Sequence, residues 1–253
     1  MNLSTIVSYN LLPWQWVAWI CMGICIGLSK TGFIGITAVT IPIMALIFGA
    51  RESTGLILPL LCLADLMAVI YYHSHAEWKY IIRLLPWALV GFGAALLTNQ
   101  LVPVQAFKYL IGGCILVGTV VMIWNDLRAK DQPPPSAWWF SALFGIAGGF
   151  STMIGNIAGP IMTVFLLSMR LPKNNFVGTS AWFFLILNYL KLPIQILVWK
   201  NITAQTLLFG LTLVPVVIAS VILGIYLISK ISEPIYRKAV IVLTLISTVF
   251  LFI

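Results

Sequence analysis

Long stretches without a charged side chain constrain this sequence more than any other feature. Four of them contain no Asp, Glu, Lys or Arg: residues 1–29, 84–107, 132–169 and 201–229. The hydrocarbon core of a bilayer is about 30 Å thick, and a helix of roughly 20 apolar residues crosses it. Such a helix is stable in lipid because it pairs its own backbone N–H and C=O groups. The sequence therefore predicts several membrane-spanning helices.

The composition excludes an ordinary soluble domain. Hydrophobic residues make up 61% of the chain and charged residues 8%, whereas soluble domains carry about 25% charged residues. The net charge of +8 is spread over the chain rather than clustered, which argues against nucleic-acid binding. In a protein with many spans, such a basic excess typically reflects topology. The expected partners are a lipid bilayer and, from the site described below, a small anion.

The pattern of apolar segments divides the chain into two halves. We predict a first transmembrane repeat at 1–127, a cytoplasmic linker at 128–136 and a second transmembrane repeat at 137–253. Each half opens with a long apolar segment that polar or glycine-rich residues interrupt, at 29–32 in the first half and at 148–152 and 155–156 in the second. The remaining spans are predicted near 54–72, 79–98, 104–124, 177–198, 203–229 and 235–253.

The two halves present their features in the same order. A polar residue lies ten positions after a glycine in the span that follows each interrupted segment: Asp65 after Gly55, and Asn188 after Gly178. A segment of about 35 residues is too long for one untilted helical crossing, so each becomes either a re-entrant hairpin or two short spans. We predict an all-α polytopic membrane protein of two inverted repeats, each opening with a broken or re-entrant helical segment.

Basic residues predict the orientation, because they are enriched in cytoplasmic loops. One side of the membrane receives nine of them: Lys79, Arg83, Arg128, Lys130, Arg170, Lys173, Lys230, Arg237 and Lys238. The other side receives three: Arg51, Lys108 and Lys200. We expect the first side to be cytoplasmic, which places both termini on the outer side of a bacterial inner membrane.

The first interruption is the strongest candidate for a site. Lys30 lies between Ser29 and Thr31, just before Gly32, in the middle of an apolar region. A charge at membrane depth costs about 2.5–3.5 kcal/mol on insertion scales. Unwound amides, the start of a second half-helix and a lysine together favour an anion. The alternatives are that Lys30 extends to a membrane interface or pairs with Asp65.

The second interruption offers hydroxyl groups, an amide side chain and flexible glycines, but no charge. Ser151, Thr152, Gly155 and Asn156 would complement Lys30 if the two interruptions face each other. The alternative is a helix kink in which small residues ease packing between helices.

Asp65 is the only acid well inside a predicted span. It could carry a coupling proton, neutralise Lys30 in the empty site or hydrogen-bond a broken helix. The matching position of Asn188 favours a hydrogen-bonding role over obligatory proton transfer. Three further polar residues are interpreted as lying nearer the outer end, along an exit path: Lys191, Gln195 and Arg51.

The predicted substrate-binding set combines both interruptions with the polar residues of the following spans. It comprises Ser29, Lys30, Thr31, Gly32, Gly35, Asp65, Ser151, Thr152, Gly155, Asn156 and Asn188. No catalytic triad, HExxH sequence, paired carboxylates or Cys/His metal spacing stands out. We therefore predict no enzyme activity, no catalytic residue, no metal and no cofactor.

Several short motifs resemble those of the sulfite exporter TauE/SafE family. In the first half these are Gly-Leu-Ser-Lys-Thr-Gly at 27–32, then Pro42 and Asp65; in the second they are Gly-Gly-Phe at 148–150, Gly-Pro at 159–160 and Asn188. The resemblance covers nearly the whole chain. It implies a transporter that moves sulfite or small organosulfonates outward, with its substrate region at the two interruptions.

The expected function is secondary export of small sulfur-containing anions across the inner membrane. The alternatives are an anion channel of the same fold, a transporter of another small organic anion, a membrane-embedded enzyme or redox scaffold, and a non-transporting assembly partner. The duplicated halves are compatible with a self-sufficient monomer and with a homodimer.

Overall fold

The computed structural model describes residues 9, 11–98 and 137–252, and its regular elements in these ranges are all helical. The predicted span near 104–124, the linker at 128–136 and the three basic residues Lys108, Arg128 and Lys130 lie outside the described residues. The described α-helices are α1 (Pro13–Lys30), α2 (Thr37–Phe48), α3 (Ala50–Tyr72), α4 (Trp78–Thr98), α5 (Trp138–Gly155), α6 (Gly159–Ser168), α7 (Lys173–Leu197), α8 (Ala204–Gly210), α9 (Val214–Lys230) and α10 (Glu233–Phe252).

The first interrupted segment forms two helices joined by a non-helical stretch, as the sequence predicts. Helix α1 ends at Lys30, and α2 begins at Thr37. We call residues 31–36 the first break. Gly32 and Gly35 have φ values of 134° and 101°, a conformation that residues with a side chain rarely adopt. These two glycines therefore allow the chain to leave one helix and start another.

The second interrupted segment breaks at the later of its two predicted positions, 155–156. Helix α5 continues to Gly155, and α6 begins at Gly159, so the second break comprises residues 156–158. Asn156 has a φ of 58° in the left-handed region, which asparagine tolerates at helix ends. The predicted interruption at 148–152 is wrong, because those residues are helical and Gly149 packs closely against α4.

Four helical stretches among the described residues are long and apolar enough to cross a membrane: Arg51–His75, Trp78–Leu97, Lys173–Leu197 and Ala204–Lys230. The last of these contains a short 3-10 turn, Leu211–Leu213, between α8 and α9. Pro215 falls in the first turn of α9, where a proline costs no intrahelical hydrogen bond. The predicted span near 203–229 is thus two consecutive helices.

Two aromatic-rich cores flank the breaks. Phe140 of α5 stacks on Phe165 of α6 at a centroid distance of 5.7 Å. Trp19 of α1 stacks on Phe209 of α8 at 5.0 Å. Among the closest helix pairs are α4 with α5, α3 with α7, and α1 with α9. These pairs hold the ends of the broken helices in fixed positions.

The close approach of α4 to α5 gives a prediction on stability. A Cβ atom on Gly91 would lie 2.0 Å from the carbonyl oxygen of Ile146, whereas one on Gly93 would meet no described atom within 4 Å. We expect Gly91→Ala to lower the free energy of unfolding by about 1–3 kcal/mol, as overpacking does. Gly93→Ala is the matched control and should be neutral or stabilising, because alanine favours the helix by about 1 kcal/mol over glycine.

Thermal unfolding of both variants in the same detergent measures this difference in stability. Equal melting temperatures would contradict the close contact between α4 and α5.

Candidate functional site

The two breaks meet at a small, partly open space, which we call the break cavity. Its volume is about 20 Å³, room for roughly one water molecule. A Cβ built on Gly159 would lie 3.3 Å from the backbone nitrogen of Gly35, so the first break contacts the start of α6. Six of the predicted site residues line the cavity: Ser29, Lys30, Gly35, Thr152, Asn156 and Asn188. The first residues of α2 and α6, Thr37 and Gly159, line it as well.

Lys30 is paired with Asp65 beside this cavity. Its Nζ atom lies 2.8 Å from Asp65 Oδ1 as an ion pair, without a well-aligned hydrogen bond. The Lys30 side chain is 9% exposed and the Asp65 side chain 0%. The ammonium group also lies 4.4 Å from the ring centroid of Phe184, within range of a cation–π contact. The pairing with Asp65 that the sequence left as an alternative is thus observed, and Lys30 remains at the cavity wall.

Asn188 is hydrogen-bonded to the second oxygen of the Asp65 carboxylate. Its Nδ2 atom donates a hydrogen bond of 2.6 Å to Asp65 Oδ2. Asp65 on α3 and Asn188 on α7, which the predicted repeat places at matching positions, therefore contact each other directly. This hydrogen bond agrees with the hydrogen-bonding role predicted for Asp65.

Lys191 is a second buried cation at the site. Its side chain is fully buried, and Nζ donates to three oxygens at the end of α5. These are the Thr152 carbonyl at 3.0 Å, the Thr152 hydroxyl at 3.1 Å and Asn156 Oδ1 at 2.5 Å. A cation at the C-terminal end of a helix also interacts favourably with the helix dipole.

Lys191 was predicted to lie along an exit path, whereas it contacts Thr152 and Asn156, which line the break cavity. The available signal was its position three residues after Asn188, since residues three apart lie on the same face of a helix. Gln195 continues this face and is also fully buried. Arg51, by contrast, lies with Lys200 in a separate polar depression near Trp199, so the structure does not bring it to the break cavity.

Three predicted hydroxyl donors bond to their own helices. Ser29 donates to the Ile26 carbonyl at 2.8 Å, Thr31 to the Leu28 carbonyl at 3.1 Å, and Ser151 to the Gly148 carbonyl at 3.1 Å. Of the three, Ser29 lines the cavity, whereas Thr31 and Ser151 do not.

Two predicted glycines have structural positions outside the cavity lining. The carbonyl of Gly32 accepts a 3.1 Å hydrogen bond from the Tyr236 hydroxyl of α10. Gly155 is the last residue of α5, and its nearest neighbour for an added Cβ is Ile157. Both glycines shape the breaks without forming the cavity wall.

The arrangement suits a small anion better than a metal. Among the described residues, no group of three or more His, Cys, Asp or Glu side chains could hold a metal ion. The cavity instead combines Lys30 with the N-terminal ends of two helices, and helix N-termini favour negative charge.

Comparison with known families agrees with this chemistry. The sequence model of the family described as Sulfite exporter TauE/SafE matches residues 12–251. Comparisons with curated proteins and with solved structures give no significant match. Because the family match spans both breaks and nearly the whole chain, this multi-pass membrane protein belongs to the sulfite exporter TauE/SafE family of transporters.

Proposed function

We propose that the protein is a secondary transporter that exports sulfite or a closely related sulfur-containing anion across the bacterial inner membrane. The observation that carries this proposal is a largely buried lysine, Lys30, at a small cavity between two broken helices. Broken helices that meet at the midplane form the substrate sites of many secondary transporters. The family supplies the class of substrate.

In the proposed empty state, Asp65 neutralises Lys30 and stabilises it away from water. An anion that enters the cavity competes with Asp65 for the ammonium group, so Lys30 exchanges one negative partner for another. Thr152 and Asn156 also line the cavity. In this proposal, Thr31, Gly32, Ser151 and Gly155 act indirectly by fixing the shape of the two breaks.

The membrane potential is sufficient to drive such export. An inside-negative potential favours the outward movement of a single negative charge by about 2.3 kcal/mol per 100 mV. The proposed topology has two inverted repeats, 1–127 and 137–253, joined by a cytoplasmic linker at 128–136, with both termini on the outer side. Alternating access then follows from movement of one repeat against the other around the cavity.

Flux of labelled sulfite in proteoliposomes tests this function. With an imposed potential, we expect saturable sulfite flux that follows the sign and size of the potential, and inhibition by a short sulfonate. Flux that fails to saturate and greatly exceeds carrier rates would identify an anion channel instead. If folded protein moves neither sulfite nor sulfonates, the proposed substrate is wrong.

A further inference from the structure

We propose that the break cavity selects an anion with one negative charge and its own hydrogen-bond donor, which among sulfur oxyanions describes hydrogen sulfite. Sulfite and sulfate, both dianions without a donor, would be disfavoured. This inference rests on the proposed function and specifies the protonation state of its substrate. Three features of the cavity carry it: the balance of buried charges and the orientations of two amide side chains.

The first feature is the balance of buried charges. Lys30 and Lys191 are cations, and Asp65 is the one acid that contacts either of them among the described residues. Cys62, one turn before Asp65 on α3, adds no charge as a thiol. Three oxygens surround Lys191 Nζ and match the three N–H donors of an ammonium group. With Lys191 in that form, the buried set carries a net charge of about +1. Uncompensated charge in a low-dielectric interior is costly, and a monovalent anion cancels it, whereas a dianion leaves an excess negative charge.

The second feature is the amide of Asn188, whose orientation is fixed by Asp65. An ionised carboxylate only accepts hydrogen bonds, so Asn188 must direct its Nδ2 donor to Asp65 Oδ2. Its Oδ1 atom is then buried without a partner among the described residues, and Asn188 lines the cavity. An unpaired buried acceptor costs about 1–3 kcal/mol. A ligand O–H group would satisfy it, whereas a ligand oxygen without a proton would be repelled.

The third feature is the amide of Asn156, whose orientation is fixed by Lys191. Here the amide oxygen faces the charged partner, whereas in Asn188 the amide nitrogen does. An ammonium group only donates, so Oδ1 of Asn156 must face Lys191. The Nδ2 atom is left buried with no partner among the described residues, and Asn156 also lines the cavity. Contact of Oδ1 with a cation polarises the amide and strengthens the N–H groups as donors. The cavity thus contains an unpaired donor as well as an unpaired acceptor.

Hydrogen sulfite satisfies all three features together once the cavity, which at about 20 Å³ has room for roughly one water molecule, widens to admit an ion of four heavy atoms. Its negative oxygens match Lys30 and Asn156 Nδ2, its proton matches Asn188 Oδ1, and its single charge matches the buried excess. Methanesulfonate has the same charge but no donor. Sulfate is a dianion and also has no donor. Comparing methanesulfonate with sulfate therefore tests the charge requirement, and comparing hydrogen sulfite with methanesulfonate tests the donor requirement.

Competition in wild-type proteoliposomes tests the charge requirement. Methanesulfonate should inhibit labelled sulfite flux at least about tenfold more strongly than sulfate, a difference of about 1.4 kcal/mol. Equal inhibition by the two anions would overturn the charge requirement while leaving sulfite transport established. Absence of all flux would overturn the proposed function as well.

The pH dependence of flux tests the donor requirement, because hydrogen sulfite loses its remaining proton near neutral pH. At a fixed, subsaturating total concentration, sulfite flux should rise as the pH falls through that pKa and follow the hydrogen sulfite fraction. Methanesulfonate, whose charge is constant, is the control for titration of the protein. Protein-free liposomes correct for diffusion of sulfur dioxide. Sulfite flux that rises with pH relative to methanesulfonate flux would contradict the inference.

Asn188→Leu tests the acceptor directly. The ratio of hydrogen sulfite flux to methanesulfonate flux should fall several-fold, since only the first anion uses Oδ1. A merely structural role for Asn188 would lower both fluxes equally and leave their ratio unchanged, which would contradict the assignment. If the variant does not fold, the pH dependence of the wild type decides the question.

Discussion

Lys30→Met is expected to abolish saturable sulfite flux. The substitution removes the cation that lines the break cavity. A hydrogen bond to a charged group contributes up to about 3 kcal/mol, so we expect the rate at low sulfite concentration to fall about a hundredfold or more. The same substitution leaves Asp65 buried without its partner, which destabilises the fold by about 3–5 kcal/mol.

Two further variants separate loss of the site from loss of the fold. Lys30→Met combined with Asp65→Asn removes both charges of the pair, so stability should recover while flux stays absent. Lys230→Met replaces an exposed lysine at the end of α9 and should leave flux and stability unchanged. Flux and melting temperature are measured for all three. Sulfite flux at the wild-type rate in Lys30→Met would exclude Lys30 from the site.

Lys191→Met is the second substitution with a large expected effect. It removes the lysine donor from three oxygens at the end of α5. The Thr152 carbonyl keeps the backbone N–H of Asn156, but Asn156 Oδ1 loses the donor that Lys191 supplied, and an unsatisfied buried acceptor costs about 1–3 kcal/mol. The Asn156 amide is no longer held in one orientation, so its Nδ2 donor is no longer fixed. We expect a lower melting temperature and a rise of about tenfold or more in the KM for sulfite, as one lost buried hydrogen bond predicts.

Lys79→Met is the control for Lys191→Met, because Lys79 is exposed at the start of α4. Lys79→Met should leave the melting temperature and the KM for sulfite unchanged. An unchanged KM in Lys191→Met, with only stability reduced, would show that Lys191 supports α5 without acting on the substrate.

The sequence predicted the parts of the site that depend on a strong local signal. A lysine in a long apolar region, followed by two glycines, located the first break to within a few residues, because a buried charge and glycine-dependent φ values both leave a clear pattern. The polar residues Asp65 and Asn188 were also recognisable, as the acid and the amide at matching positions of the two halves. Their direct contact follows from the packing of α3 against α7.

The second break was harder to place because glycine has two uses in membrane helices. Gly148 and Gly149 suggested an interruption, but Gly149 allows α5 to approach Ala88 closely within a continuous helix. Tight helix packing and helix interruption both favour small residues. Composition alone does not distinguish tight packing from a helix interruption, whereas the position of α4 against α5 does.

The hydrogen bonds of the hydroxyl groups and the contacts of Lys191 were not predicted from the sequence, for a similar reason. Ser29 and Ser151 lie within helices, where a hydroxyl donates readily to a carbonyl one turn earlier, as both do here. The role of Lys191 depends on α5 ending beside α7, a tertiary contact that no local pattern reveals. Its spacing from Asn188 indicated the correct face but not the partner.

The most direct test of the central claim is a structure of the protein with selenite, an analogue of sulfite whose selenium atom is located by anomalous scattering. We expect one strong selenium peak in the break cavity, within contact distance of Lys30, Asn156 and Asn188, and loss of that peak in Lys30→Met. A selenium peak elsewhere along the helices, or an empty break cavity in protein that transports selenite, would contradict it.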